Sequence, residues 1–343
     1  MKLKQEIKEE IAHNIKPKIE TKMQMKWFTN SIVVCIMASI CCALWGSAFP
    51  CVKIGYQMLA ITPDEINAQI LYAGMRFTLA GIITIIIGSI LAKRILVPKR
   101  KAIPLIINLS FLQTIVQYLF FYIGLSNTTG VKASIVQGTN VFVALLVASV
   151  IFRQEILSRR KLIGCIIGFI GVVIINVNGT GLGADIKLTG EGFIFLSTVA
   201  YAFSSVLLKQ YSKTEQTILL SGYQFLVGGF VMMIVGALMG ARLEMYTLHS
   251  IGILLYLALV SAIAYALWGM LLTHNPISKV AVYGFMTPVL GVILSAILLG
   301  EHEVIGFKSM IALLLVSGGI FIVNSSGSNS ETIRYKQDLE KVH

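Results

Sequence analysis

Apolar residues in this chain gather into ten long runs, and the polar stretches between them are short. The runs fall near residues 32–52, 67–92, 102–125, 131–152, 161–178, 190–210, 217–240, 249–272, 279–300 and 304–324. A helix needs about 20 mostly apolar residues to cross roughly 30 Å of hydrocarbon. The pattern therefore predicts ten membrane spans, with short separators inside 131–178 and 279–324.

The runs also repeat. Residue i of the first five resembles residue i+148 of the second five: Gly74/Gly222, Phe77/Phe225, Gly81/Gly229, Gly88/Gly236, Thr139/Thr287, Ala148/Ala296, Gly171/Gly319 and Asn176/Asn324. The register holds without a gap from the second run of each half to the fifth. A unit that crosses five times delivers its tandem copy from the opposite face, so the copies must lie upside down relative to each other. The expected fold is an all-α polytopic membrane protein of ten transmembrane helices in two inverted five-helix repeats. Its parts are a basic tail (1–30), a first repeat (31–180), a second repeat (189–325) and a C-terminal tail (326–343), with NGTGLGAD at 178–185 as the linker. Inverted repeats recur in secondary transporters, which hold substrate near the midplane between the copies.

Composition agrees. With 56% hydrophobic residues, 13% charged and a mean hydropathy of +0.81 over 343 residues, the chain has more apolar surface than a water-facing fold could hide. The net charge of +12 invites a nucleic-acid reading, but its distribution argues against one. With the N-terminus inside, 22 Lys and Arg fall on inner segments and 5 on outer ones, with Arg76 set apart as intramembrane. That bias places both termini in the cytoplasm, in an inner or plasma membrane. In the tail, Leu3, Ile7, Ile11, Ile15 and Ile19 recur among lysines and glutamates, a stripe that suits an anionic leaflet or a solvated tail. The five cysteines all lie in spans and lack the spacing of a zinc site or a disulfide framework.

The carboxylates and histidines avoid the span centres, so a proton relay on a mid-depth carboxylate is disfavoured. No G-x4-GK[ST] loop supports ATP-driven pumping. Arg76 is the one permanent charge deep in a span, and it costs at least about 2.5–3.5 kcal/mol unless partnered. It is either a substrate anchor or a structural arginine bonded to helix ends, and its repeat mate, Gln224, is neutral. Gln113 and Gln117 lie one turn apart, a spacing that Ser261 and Tyr265 repeat, and Gln137 shares a face with Asn140. Such stripes face a cavity or another helix. Trp45, Tyr122, Tyr201, Trp268 and Tyr283 are candidates for stacking on substrate and equally for aromatic belts or core packing, and Lys53 for guiding anions or snorkelling outward. Pro288, the mate of Asn140, is a candidate hinge within the ninth span. Glu301, His302 and Glu303 are a weak metal motif, because neighbours in sequence rarely converge on one ion.

The motifs WGSAFPCVKIG (45–55), AGMRFTLAG (73–81), TNVFVALLVASVIFRQE (139–155) and MTPVLGVILSAILLGE (286–301) resemble those of the drug/metabolite transporter superfamily, specifically the EamA-like family. The resemblance covers residues 32–324. It implies ten helices with a pathway lined by spans 1–4 and 6–9, and export or exchange of small metabolites by alternating access. Asn140 stands where the family usually has proline, and FRQE is longer than the usual Leu-Gly-Glu ending.

The function read from the sequence is thus secondary transport of an amino-acid-like, anionic or amphipathic metabolite. The substrate-binding candidates are Arg76, Trp45, Gln113, Gln117, Asn140, Gln224, Tyr265 and Trp268. No catalytic group, cofactor or metal is called for. The expected partners are a small-molecule substrate and the bilayer, and nucleic acid is not among them. Small-residue spacings such as Gly236-x3-Gly240 mark close packing and leave homo-oligomerisation open. An integral membrane lipid-modifying enzyme and a passive channel are the alternatives.

Overall fold

The computed structural model describes residues 28–152, 158–176, 187–243, 247–275, 280, 282–301 and 306–325. Residues 1–27, the 178–185 linker, His302, Glu303 and the C-terminal tail lie outside the described residues. Among the described residues the chain is helical and holds no strand.

Among the described residues, seven helices are long and apolar enough to cross a membrane: α1 (Ser31–Met58), α2 (Ile66–Leu91), α3 (Arg100–Ser126), α4 (Gly130–Ile151), α6 (Leu188–Tyr211), α7 (Thr217–Leu238) and α8 (Leu248–His274). Three shorter helices also lie among the described residues: α5 (Arg159–Asn176), α9 (Met286–Leu299) and α10 (Phe307–Ser325). Asn30 caps α1 through its side chain, and Thr247 with Ser250 forms a capping box on α8. The outward faces carry rows of exposed aliphatics, including Ile82, Ile86 and Ile90 on α2, Ile163, Ile166 and Ile170 on α5, and Ile251, Leu255 and Leu259 on α8. Apolar rows of that extent fit hydrocarbon, and the chain is a multi-pass membrane protein.

Equivalent helices of the two halves pack on each other. In the α2–α7 seam a side chain at Gly74 would strike the backbone of Met233, at Gly81 that of Leu226, at Gly229 that of Phe77 and at Gly236 that of Leu71. Numbers rise on one helix as they fall on the other, so α2 and α7 run antiparallel. The absent Cβ atoms let the two backbones touch. At the centre of this arrangement Phe77 packs on its own mate Phe225, with ring centroids 5.4 Å apart. Helices α5 and α10 repeat the design. Gly171 faces Ala312 and Val316 while its mate Gly319 faces Gly164 and Gly168, and Val316, Cys165 and Phe142 form the core beneath. Antiparallel contact between mates is what a two-fold axis lying across the helices produces.

Three local features differ from the pattern read in the sequence. Helix α1 continues through Pro50 to Met58, so Lys53 lies inside the helix and does not end it. Helix α3 widens to a π-helix over Ser110–Val116. Pro288 does not interrupt a long ninth helix, because α9 begins at Met286 after a 3-10 turn over Val282–Phe285. In a first helical turn the missing N–H of proline has no helical partner to lose.

Candidate functional site

Between the halves lies a cavity of about 190 Å³, and its lining gathers most of the residues singled out above. Trp45 reaches it from α1, Arg76 from α2, Gln117 from α3, Asn140 from α4, Tyr265 and Trp268 from α8, and Pro288 from α9. Helix α4 breaks at Gly138–Thr139, immediately before Asn140, and α9 begins at the equivalent level with Met286–Thr287. The two mates Asn140 and Pro288 thus sit where each half interrupts its regular helix beside the cavity.

Arg76 is 2% exposed and held by neutral partners. Its Nε donates to the carbonyl of Leu257 at 3.1 Å, Nη1 to the hydroxyl of Tyr122 at 2.9 Å, and Nη2 to Oγ of Ser261 at 2.9 Å. The guanidinium also lies over the Phe77 ring, 5.0 Å from its centroid, a favourable place for a desolvated cation. These contacts fix its direction: it is bonded to helix α8 and it edges the cavity.

Gln113 and Gln224 take the other course. They are absent from the lining, and Gln224 Nε2 donates to Gln113 Oε1 at 2.6 Å within the α3–α7 contact. This bond is the repeat equivalent of Arg76 with Ser261, since Gln224 is the mate of Arg76 and Ser261 that of Gln113. The same position therefore closes on itself in the second half and presents a charge in the first. Gln113 and Gln117 diverge because Gln113 belongs to the π-helical turn and Gln117 starts the α-helical segment after it. The extra residue in a π-turn shifts the faces across it.

Residues that sequence reasoning passed over complete the walls. Tyr118 lines the cavity and its hydroxyl lies 2.7 Å from that of Tyr265. Its mate is Ala266, so a search for paired polar positions hid it. Lys161 and Lys209 also line the cavity, though their visible signal was the charge bias of the inner segments. Trp45 meets Trp268 edge to face at 5.0 Å and Tyr265 at 5.6 Å, the arrangement that aromatic quadrupoles favour. Tyr201 lines the wall. Tyr122 lies behind Arg76, and Tyr283 packs beside α1 where its carbonyl accepts from Cys42. Helix α7 gives no lining residue, and α5 gives Lys161.

The lining extends from Phe121 and Arg76 towards the end that carries Lys161, Lys209 and Leu272. The opposite end is tied shut. Glu301 accepts from the backbone N–H groups of Gly130 and Val131, each at 3.0 Å, and pairs with Lys53 at 3.6 Å. A carboxylate on the first N–H groups of a helix is favoured by their unpaired donors and the helix dipole, and this is the role of Glu301 in the structure. Nearby, Glu191 accepts from Thr128 at 2.6 Å and from the Lys187 N–H at 3.1 Å, and pairs with Lys132 at 3.6 Å. Under these ties Tyr56, Tyr72 and Tyr122 pack in one cluster, with Tyr56 donating to the Tyr122 carbonyl at 3.2 Å. Glu301→Gln weakens the tie and removes the ion pair. In a variant keeping Cys51 as the sole cysteine, maleimide is expected to label that thiol at least about threefold faster than with Glu301 intact, since losing one charged hydrogen bond loosens a contact by about 1 kcal/mol or more. Unchanged labelling would place the closure elsewhere.

A family model described as the EamA-like transporter family matches residues 32–177 and again 188–325. The chain belongs to that family of membrane transporters. It is 27% identical over 303 residues to a Salmonella typhimurium protein named "Probable amino-acid metabolite efflux pump", covering 82% of this chain and 92% of that one. It is 28% identical over 149 residues to an "Uncharacterized transporter" of Methanothermobacter thermautotrophicus, a match that spans 43% of each protein. In a solved crystal structure of a protein 15% identical to it, the same fold covers 84% of this chain and 95% of the other, with a TM-score of 0.61.

Proposed function

We propose that this protein is a secondary transporter that exports or exchanges a small metabolite across the cell membrane by alternating access. In this reading the ten helices are ten spans, arranged as two inverted repeats with both termini in the cytoplasm. The carrying observation is the cavity itself, which draws residues from both halves, is tied shut at the Lys53–Glu301 end and extends towards Lys161 and Lys209 at the other. The excess of Lys and Arg on the segments at that second end supports a cytoplasmic opening there. The substrate would then enter from inside, settle beside Arg76, and leave after the halves rock about the α2–α7 seam. Gly138–Thr139 on α4 and the Met286–Pro288 start of α9 are the hinge candidates, because an interrupted helix can bend without losing a full ladder of hydrogen bonds. The amino-acid metabolite efflux named for the Salmonella relative is compatible with a cavity of this size.

Counter-flow in proteoliposomes tests the reading. Vesicles loaded with a pool of candidate metabolites are expected to accumulate a labelled member transiently and with saturation. Linear, non-saturating flux would mean a channel, and a chemically altered product an enzyme.

A further inference from the structure

The charges, walls and unfilled hydrogen-bond groups of the cavity select one kind of ligand. Arg76 spends three of its five N–H donors on protein oxygens and has no carboxylate among the partners that hold it. A buried cation with neutral partners and spare donors, at the edge of a cavity, is a place for a ligand's anion. Lys161 and Lys209 line the other end of the cavity, and no Asp or Glu is found among the lining residues described. Between Arg76 and these lysines the walls are largely apolar and aromatic, with Trp45, Phe121, Tyr265 and Trp268 among them. Two side-chain acceptors remain open. Gln117 Oε1 and Gln137 Oε1 are buried without a hydrogen-bond partner, and both residues line the cavity. Gln117 is only 3% exposed, so bulk water does not serve it.

Resting on the transporter reading above, we infer that the substrate is a monoanionic carboxylic acid with a flat apolar body and one neutral O–H or N–H donor. Its carboxylate meets the spare donors of Arg76, its body lies against the indole and phenol rings, and its donor satisfies Gln117 or Gln137. An amine of the same shape could donate to the same amide oxygens, but it would bring a cation beside the Arg76 guanidinium. A zwitterion keeps the carboxylate contact but also brings an ammonium that must be desolvated near the guanidinium.

A matched series tests this on the full-length purified protein by isothermal titration calorimetry. The probes are 3-(4-hydroxyphenyl)propionate, tyrosine, tyramine and 3-hydroxybutyrate. The first three share one ring and one hydroxyl and differ in the charge of the tail, whereas the fourth keeps the anion and hydroxyl without the ring. The aromatic acid is expected to bind at least about tenfold tighter than each of the others, a margin within reach of one charged contact or one stacked ring. Arg76→Gln is expected to erase most of the margin over tyramine, and, if that variant does not fold, Gln117→Leu is expected to cost the acid severalfold in affinity by removing the acceptor for its hydroxyl. Tyrosine or tyramine binding as tightly as the acid would overturn the inference, and so would the absence of binding by all four. Counter-flow with the same series separates the two levels of the account. Saturable exchange without preference for the acid sinks the substrate class and leaves the transporter standing. Preferential binding of the acid with no saturable exchange of any solute sinks the transporter.

Discussion

Arg76→Ala is expected to cut transport about a hundredfold while leaving a folded, inserted protein. Hydrogen bonds to a charged group contribute about 1.5–3 kcal/mol each, and a factor of one hundred corresponds to about 2.7 kcal/mol, so the loss of one or two substrate contacts suffices. The fold tolerates the change for three reasons. The hydroxyls of Tyr122 and Ser261 can rotate to other acceptors, the Leu257 carbonyl sits within helix α8, and the deletion removes a buried charge that is itself costly in the bilayer. Arg76→Gln is the informative companion. Gln224 already makes the equivalent bond to Gln113 in the other half, so glutamine at position 76 can reach Ser261 and keep the helices together. Both variants should elute as wild type on size exclusion and fail in transport. If both were instead lost before reaching the membrane, Arg76 would be a structural residue and no anchor.

Gly81→Leu should destabilise the fold severely. A Cβ at Gly81 would lie 2.7 Å from the Leu226 Cα and 2.8 Å from the Gly222 oxygen, and these are backbone atoms that cannot rotate aside. The two helices would have to separate along the seam that joins the halves. Overpacking of a tight core typically costs 1–3 kcal/mol, and here, with backbone against backbone, about 3 kcal/mol or more is expected. The readout is a fall of several degrees in the thermal midpoint in detergent, or loss of monodisperse protein. Gly229→Leu, the mate, should behave alike. Gly252→Ala, where nothing lies within 4 Å, should melt at or above the wild-type temperature. A wild-type melting profile for Gly81→Leu would mean that α2 and α7 do not touch as described.

The glycine mates were legible in the sequence because close helix approach leaves a chemical trace at a fixed offset. Gly74, Gly81 and Gly88 recur in the second half as Gly222, Gly229 and Gly236, and the structure sets Gly74 and Gly81 against Met233 and Leu226 across the α2–α7 seam. The cavity was legible where a residue is unusual for its depth, as with Arg76, Asn140 and Gln117. What sequence could not supply is the direction of a polar side chain that has two ways to be satisfied. Gln113 and Gln224 satisfied each other because a π-turn moved Gln113 towards α7. Glu301 gave no sign of its partner, since the N–H groups it accepts from lie some 170 residues earlier and are donors in every sequence. Lys161 and Lys209 carried a topological signal strong enough to mask a second position, in the cavity wall.

Everything functional depends on the halves being opposed across the membrane. Single cysteines placed at Lys99, Lys213 and Asp64 in a cysteine-free background, probed with an impermeant maleimide, report this directly. Lys99 and Lys213 should react only after the cells are permeabilised, whereas Asp64 should react in intact cells. Reaction of Lys99 and Lys213 from different sides would contradict the inverted arrangement and, with it, the account of a cavity reached from one face at a time.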